Sequence, residues 1–381
     1  MTIPASSRTE PSGCEGIRPA PRGDRTDVRP GRGGRRRGRP AGLVVASLLA
    51  AWVCAACAPA RGTGSDGAGA DELGSMAESG RAGGGEGVRA LLRRENAVYG
   101  EWPGVHPSQL AMDIYAAPGA TNAPVLFMIH GGAWRHGDKT NPGIATGKPE
   151  FFAGRGWVYV AVNYRLAPDV RHPTQVKEIA AAIAWVRRNI RDEGGDPKRI
   201  FLMGHSSGAQ LAALVATDGR RLEAEGESLE AVRGVVLLDG SGYDVVGMIR
   251  REDPLNLNIR RWYIDAFTDD PEVQRDASAV AHVAAGKGIP PFLIFCLADR
   301  PSSRREAGAL ADALRAAGVD AALVPAERKT HIALNRDIGA PGDAPTAILV
   351  KFLDRLAGPP RPVRIQRPPT VPPAAPQPAT P

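Results

Sequence analysis

The chain of 381 residues has only four cysteines, and they form neither a pair of Cys-x-x-Cys motifs nor a Cys/His cluster. Such groups mark many metal sites, so we expect no metal ion. The single Cys-x-x-Cys, from Cys54 to Cys57, lies in an apolar leader rather than after a strand of a βαβ unit, and it does not predict a redox site. Cys296 is the only cysteine in the predicted core, where we expect a buried, inert thiol.

The central part of the chain lacks an excess of basic charge, although the net charge is +7. Residues 1–61 contain 11 arginines against four acidic residues, and residues 358–381 contain three arginines and no acidic residue. The remainder therefore carries a net charge of −3. A nucleic-acid groove needs a basic stripe on the folded surface, so we expect no nucleic-acid partner. The three glycines at 83–85 are not followed by the Lys-Ser of a phosphate-binding loop, and we expect no cofactor.

Aromatic residues are also few, at 5%, but the apolar content of 43% is enough for a core.

The first 60 residues look like a leader: an Arg-, Gly- and Pro-rich segment precedes an uncharged apolar run at 41–58. This order predicts a secretory signal, with an uncleaved membrane anchor as the alternative. The run resembles a bacterial lipobox with Cys57 as the lipidated residue, although Cys54 stands where Leu is usual. Cleavage after Ala60 is the other possibility, and we expect an exported cell-envelope lipoprotein or a secreted protein.

Changes in composition predict the remaining domain boundaries. Residues 61–90 are rich in Gly, Ser, Asp and Glu and predict a flexible linker. Residues 358–381 contain ten prolines and predict a disordered tail. Between them, residues 91–357 predict one catalytic domain, whose oligomeric state the sequence does not indicate.

Apolar runs alternate with helical patterns in this central region. Such alternation is typical of α/β proteins, in which a mostly parallel sheet is covered by helices on both faces. The predicted strands are 109–116, 125–129, 157–162, 199–203, 235–238, 292–297 and 321–324, and the main predicted helices are 173–190, 209–216, 304–317 and 346–356.

The most informative stretch is Gly-His-Ser-Ser-Gly at 204–208, which joins a predicted strand to a predicted helix. In a nucleophile elbow the serine lies at a strained turn, and small flanking residues let the strand and the helix approach. Gly204 and Gly208 fit this requirement, so we predict Ser206 as a nucleophile.

A serine nucleophile needs a base and a group that orients the base. Of the seven histidines, only His331 follows the late strands, in a loop where α/β sheets keep their sites. We predict His331 as the base. Asp299, after the strand 292–297, is the favoured acid, and Asp239, at the end of the preceding strand, is the alternative.

The loop His-Gly-Gly-Ala-Trp at 130–134 directly follows a strand and predicts an oxyanion hole. Its donors would be backbone N–H groups of Gly131, Gly132 and Ala133, together with that of Ser207. For substrate binding, we predict Trp134 beside this loop. We also predict Trp262 and Tyr263, which lie at helical spacing in the long segment 241–271, although ordinary packing of a surface helix explains their spacing equally well.

Together these motifs resemble the α/β-hydrolase superfamily, esterase/lipase branch, over residues 95–357. Further matching stretches are Asn-Tyr-Arg-Leu-Ala-Pro at 163–168, Asp-Pro-Lys-Arg-Ile at 196–200, Asp-Ala-Ser-Ala-Val-Ala-His-Val at 276–283 and Thr-His-Ile-Ala-Leu-Asn at 330–335. The last two resemble the kynurenine formamidase and feruloyl-esterase-like group.

The resemblance implies a serine hydrolase that cleaves esters of short acyl or small aromatic groups through a triad of Ser206, Asp299 and His331. The stretch around Asp299 lacks the usual Gly-x-x-Asp spacing of this family. The alternatives are an arylformamidase and, from another class, a non-catalytic binding module on the same fold.

Overall fold

The structure, a computed structural model, describes residues 91–250 and 257–358. The predictions made for residues 1–60, 61–90 and 359–381 lie outside this part of the chain and stay predictions. Within the described ranges, no helix is both long enough and apolar enough to cross a membrane.

An eight-stranded sheet forms the centre of the described part, with the strand order β1-β2-β4-β3-β5-β6-β7-β8. Strands β3 to β8 are parallel to one another, whereas β2 runs antiparallel to both β1 and β4. The strands are β1 Leu92–Val98, β2 Ala111–Ala116, β3 Ala123–Ile129, β4 Val158–Val162, β5 Gly195–His205, β6 Val232–Leu238, β7 Phe292–Leu297 and β8 Ala321–Ala326.

Helices connect the parallel strands, as their crossovers require. They are α1 Pro142–Ala145, α2 Lys148–Gly154, α3 Thr174–Asn189, α4 Ser207–Thr217, α5 Arg220–Glu223, α6 Val245–Arg250, α7 Leu257–Phe267, α8 Pro271–Asp276, α9 Pro301–Ala316, α10 His331–Arg336 and α11 Ala344–Ala357.

The core has two apolar layers, one on each face of the sheet. Alternate residues of one strand enter different layers: Val125, Phe127 and Ile129 of β3 lie in the larger layer, and Leu126 and Met128 lie in the smaller one. Because both faces of the inner strands are buried, their sequences are continuous apolar runs rather than alternating ones. This confirms the α/β class that the sequence predicted, with a mostly parallel sheet covered on both faces.

The register of the parallel strands determines where the site forms. Ile129 at the end of β3 pairs with Gly204 of β5, and His205 of β5 pairs with Leu238 of β6. The residues that follow these three strands therefore emerge side by side at one edge of the sheet. They are the glycine loop after β3, Ser206 after β5 and Asp239 after β6.

Candidate active site

Ser206 lies at a tight turn between β5 and α4 and is partly exposed. Its backbone angles, φ 55° and ψ −122°, are strained for a residue with a side chain. The turn can form because the flanking residues are glycines. A Cβ on Gly204 would lie 2.3 Å from the carbonyl oxygen of Gly208, and one on Gly208 would lie 2.3 Å from that of Ile129. This is the strand, turn and helix geometry predicted from the sequence.

His331 is the first residue of α10, the short helix after β8. The hydroxyl of Thr330 accepts a hydrogen bond from the Ala333 N–H at 3.1 Å and so caps this helix. The His331 ring contacts the ring of His205, the residue before Ser206, with centroids 4.4 Å apart. The structure therefore brings His331 to the elbow, as the sequence predicted.

The carboxylate partner of His331 is Asp239 and not Asp299. Oδ2 of Asp239 lies 2.5 Å from Nδ1 of His331. Asp299 is exposed, and among the described residues it has no hydrogen-bond or ion-pair partner. The prediction of Asp299 as the acid is therefore wrong in this structure. The physical reason is that Asp239 directly follows β6, the strand next to the nucleophile strand, and is held there by its N–H, which donates to the Phe295 carbonyl at 3.0 Å.

Asp239 is fully buried as a side chain and has three polar neighbours. Ser303 donates to Oδ1, while Arg300 Nη2 lies 2.7 Å from Oδ2, the oxygen that also meets His331. Burial alone would raise the pKa of Asp239, but the hydrogen bond from His331, together with Ser303 and the charge of Arg300, lowers it below its ordinary value. Asp239 is therefore ionised at neutral pH.

The His205 side chain holds the backbone of His331 in place through a hydrogen bond. Burial, reinforced by the neighbouring His331, lowers the pKa of His205 to about 3, so its ring is neutral. Its Nε2 lies 3.0 Å from the carbonyl oxygen of His331 and donates to it. The residue before the nucleophile thus joins the elbow to the first turn of α10.

The glycine loop lies directly against the nucleophile. A Cβ on Gly131 would be 2.9 Å from the Cβ of Ser206. Gly132 and Ala133 have φ angles of 133° and 54°, and both are partly exposed. Among the described residues, no acceptor binds the N–H groups of Gly132, Ala133 or Ser207. These groups fit the predicted oxyanion role, since donors for a developing charge must be free before the reaction.

Comparison with known proteins identifies the family. The sequence model of the BD-FAE family matches residues 112–302, half of the chain. The chain belongs to the BD-FAE family. The match covers the glycine loop, Ser206 and Asp239, and His331 lies beyond it.

Curated relatives of this BD-FAE protein include two from Mycobacterium tuberculosis. Esterase LipC is 32% identical over 217 residues, which are 54% of this chain and 51% of LipC. The probable carboxylic ester hydrolase LipM is 33% identical over 192 residues, which are 48% of this chain and 43% of LipM. The chain thus spans about half the length of these relatives or less.

A solved structure supports the fold assignment. Esterase B from Lactobacillus Rhamnosis matches 70% of this chain and 86% of its own, with a TM-score of 0.58 and 21% identity. The same enzyme has been solved with an inhibitor bound. At this identity the similarity shows the α/β-hydrolase fold.

The aromatic residues predicted to bind substrate are mostly core residues of the BD-FAE fold. Trp134 and Tyr263 are each only 2% exposed. Trp134 packs edge-on against Tyr263 and Phe267, and its Nε1 donates to Gln210 Oε1 at 2.9 Å. The structure therefore contradicts direct substrate contact by Trp134 and Tyr263, because packing already covers both rings. Trp262 is partly exposed, and its role stays a prediction.

A second cluster of ionisable groups contains Asp218, Asp276 and His282, whose potential ligand atoms lie within 4.8 Å of one another. Arg220 pairs with both carboxylates, and Arg221 does so too. Because the carboxylates already have these counter-charges, the cluster holds α5 against the end of α8 and does not indicate a metal centre.

Sequence reasoning missed several residues of the site. His205 lies inside the nucleophile motif, and Arg300 and Ser303 lie next to the acid that was chosen wrongly. Their contacts span 61 to 126 positions of sequence, which no local pattern records. The useful signal was the position of Asp239 directly after the strand that pairs with the nucleophile strand.

Proposed function

We propose that this protein is a serine carboxylesterase. The observation that carries the proposal is a cluster at one edge of the sheet. It contains Ser206 on a strained elbow, a His331–Asp239 pair that packs against the neighbouring His205, and unbonded N–H groups. That set supplies a nucleophile, a base with its orienting acid, and donors for an oxyanion. The names of the relatives, esterase and carboxylic ester hydrolase, support the same reaction.

In the proposed reaction each group has one role. His331 donates its Nδ1–H to Asp239, which leaves Nε2 as the base for Ser206. Ser206 Oγ attacks the ester carbonyl and gives its proton to His331, and Asp239 stabilises the imidazolium that forms. The N–H groups of Gly132, Ala133 and Ser207 bind the oxyanion. His331 then protonates the leaving alcohol, and water releases the acid from the acyl-enzyme.

We propose small substrates, namely short acyl or small aromatic esters. The buried rings of Trp134, Tyr263 and Phe267 fill the space behind the glycine loop. Helix α7 is fixed there by an ion pair between Arg135 and Asp265. Space that side chains already fill cannot accept a long acyl chain without repacking.

Substitution of the nucleophile tests the proposal. We expect Ser206→Ala to lower kcat for p-nitrophenyl acetate about 10⁴-fold or more, leaving only the catalysis that survives the loss of a triad member. Ser228→Ala is the matched control, because Ser228 is exposed before the amino-terminal end of β6, and it should hydrolyse the ester like the wild type.

Two further outcomes separate the alternatives. Wild-type turnover of the ester by Ser206→Ala would contradict the role of Ser206. A wild-type chain that neither hydrolyses esters nor reacts with a fluorophosphonate at Ser206 would be a binding module instead. Faster turnover of N-formylkynurenine than of the ester would indicate an arylformamidase.

A further inference from the structure

The carboxylate of the proposed triad is shared with an arginine. Asp239 Oδ2 receives Nδ1 of His331 at 2.5 Å and Nη2 of Arg300 at 2.7 Å. The carboxylate has no exposed surface, whereas the Arg300 side chain is 43% exposed. The imidazole of His331 and the guanidinium of Arg300 therefore both bind one buried carboxylate oxygen.

Local structure places Arg300 at this oxygen. Arg300 is the N-cap residue of α9, with an extended backbone, and Pro301 begins the helix. Two residues further on, Ser303 accepts a hydrogen bond from the Leu297 N–H at 2.9 Å and donates to Asp239 Oδ1. The first turn of α9 thus presents Arg300 and Ser303 to the two oxygens of the same carboxylate.

We propose that Arg300 is a positioning residue that limits how strongly Asp239 stabilises the imidazolium form of His331. The inference rests on the esterase function proposed above. By neutralising part of the carboxylate charge, Arg300 keeps His331 in its neutral, basic form to lower pH than an Asp–His pair alone would allow.

The charges around His331 support this role. Asp239, which follows β6, binds the His331 ring, and Arg300 at the start of α9 binds the same Asp239 oxygen. His205 of β5, which is neutral, packs against the His331 ring. Lys148 of α2 lies behind His205 and is buried, with a pKa lowered by burial to about 7.

Of the charged groups on the His331 segment, Glu327 and Arg328 are exposed, and the others form ion pairs. Lys329 forms ion pairs with Asp337 and Asp343, and Arg336 pairs with Asp337. Among the described residues, Arg300 is the cation that hydrogen-bonds to the carboxylate of the Asp239–His331 pair. Its loss removes a positive charge from the acid and favours the imidazolium.

The test is the pH dependence of kcat/KM for p-nitrophenyl acetate. We expect the acidic limb, which is the fall of kcat/KM toward low pH, to lie about 0.5 to 1 pH unit higher in Arg300→Gln than in the wild type. The shift is limited to this size because Arg300 is partly solvated. Above the limb, the loss of kcat/KM should be smaller than the loss within the limb. Arg300→Lys keeps the charge and should restore most of the wild-type limb.

Arg305→Gln is the matched control, because it removes the same charge from an exposed position on the same helix. It should leave the limb in place. A limb unchanged in Arg300→Gln, or a rate that falls equally at every pH, would overturn the inference and would assign Arg300 a purely structural role. Failure of the proposed function is distinguishable, because it would show as unchanged activity in Ser206→Ala.

Discussion

At the scale of single residues, Lys148 has an unusual environment for a lysine. Its side chain is completely buried, and its Nζ donates to the carbonyl oxygens of Gly143 at 2.7 Å and Asn335 at 2.5 Å. Burial lowers its pKa to about 7, although Asp337 and Asp343 act in the opposite direction. Two acceptors suit a neutral amine, which has two N–H donors. Lys148 thus ties α1 and α2 to the last turn of α10, the helix that carries His331.

This environment predicts an increase in stability with pH. Between pH 7 and about 10 the unfolded chain holds a proton on Lys148 that the folded chain has lost, so the free energy of unfolding rises with pH. Relative to Lys148→Met, which has no such group, the wild type should gain at most about 1.4 kcal/mol per pH unit in this range. Urea unfolding of both proteins at pH 7 and pH 9 measures the difference. If the difference in the free energy of unfolding between the two proteins is the same at pH 7 and pH 9, the amine is not buried in its neutral form.

The residues of the proposed site differed in how far the sequence predicted them. Ser206 and the glycine loop have motifs of adjacent residues whose backbone demands are local, and His331 is the only histidine after the late strands. Asp239 and Asp299 both follow strands, so the order of residues alone could not separate them. The choice depends on which carboxylate reaches the imidazole, and that depends on the packing of α9 and α10.

At the scale of secondary structure, the apolar strands and the long amphipathic helices were predicted, and the mostly polar strand β1 was not. The strand 292–297 was predicted at its observed bounds, and the helix 173–190 differs from α3 by one residue at each end. Strand β1 was missed, because its first five residues, Leu-Arg-Arg-Glu-Asn, are exposed and mostly polar. It is a strand because it pairs with β2, and such pairing is invisible in an apolar pattern.

The length of α4 follows from the elbow. The predicted helix began at Ala209, whereas α4 begins at Ser207, directly after the nucleophile. This start matters, because the first N–H groups of a helix have no partner within the helix and are free to bind a negative charge. The two additional residues therefore place the N–H of Ser207, already predicted as an oxyanion donor, at the first position of α4.

At the scale of the whole molecule, ion pairs hold distant segments together. Asp276 accepts hydrogen bonds from Arg220 and Arg221 of α5 and contacts His172 Nε2 at 2.8 Å. Burial would raise the pKa of Asp276, but the hydrogen bonds from His172 and Arg221 outweigh it and lower the pKa well below the ordinary value. These contacts therefore stabilise the fold only while the carboxylate is ionised.

The sign of the resulting pH dependence follows from linkage. An acid whose pKa is lowered by folding contributes stability above its unfolded pKa, near 4, and this contribution is lost as the pH falls further. We expect Asp276→Asn to reduce the free energy of unfolding by about 1 to 2 kcal/mol at pH 7. The difference from the wild type should shrink below pH 4.

The matched control for this prediction is Asp312→Asn. Asp312 is 79% exposed and, among the described residues, pairs only with Arg315 on its own helix, so its loss should change stability by less than about 0.5 kcal/mol. Chemical denaturation of the three proteins at pH 7 and at pH 2, closer to the lowered pKa of folded Asp276, measures the effect. A difference between Asp276→Asn and the wild type that is the same at both pH values would show that the charge of Asp276 is not responsible.

The central claim is that Asp239 orients His331 as the base for Ser206. A comparison of two matched variants tests this claim most directly. In Asp239→Asn the imidazole loses the anion that fixes its tautomer, so kcat/KM for p-nitrophenyl acetate should fall about 10⁴-fold. In Asp299→Asn, which alters an exposed carboxylate without partners among the described residues, kcat/KM should stay within about threefold of the wild type. A large loss in Asp299→Asn with little change in Asp239→Asn would contradict this account.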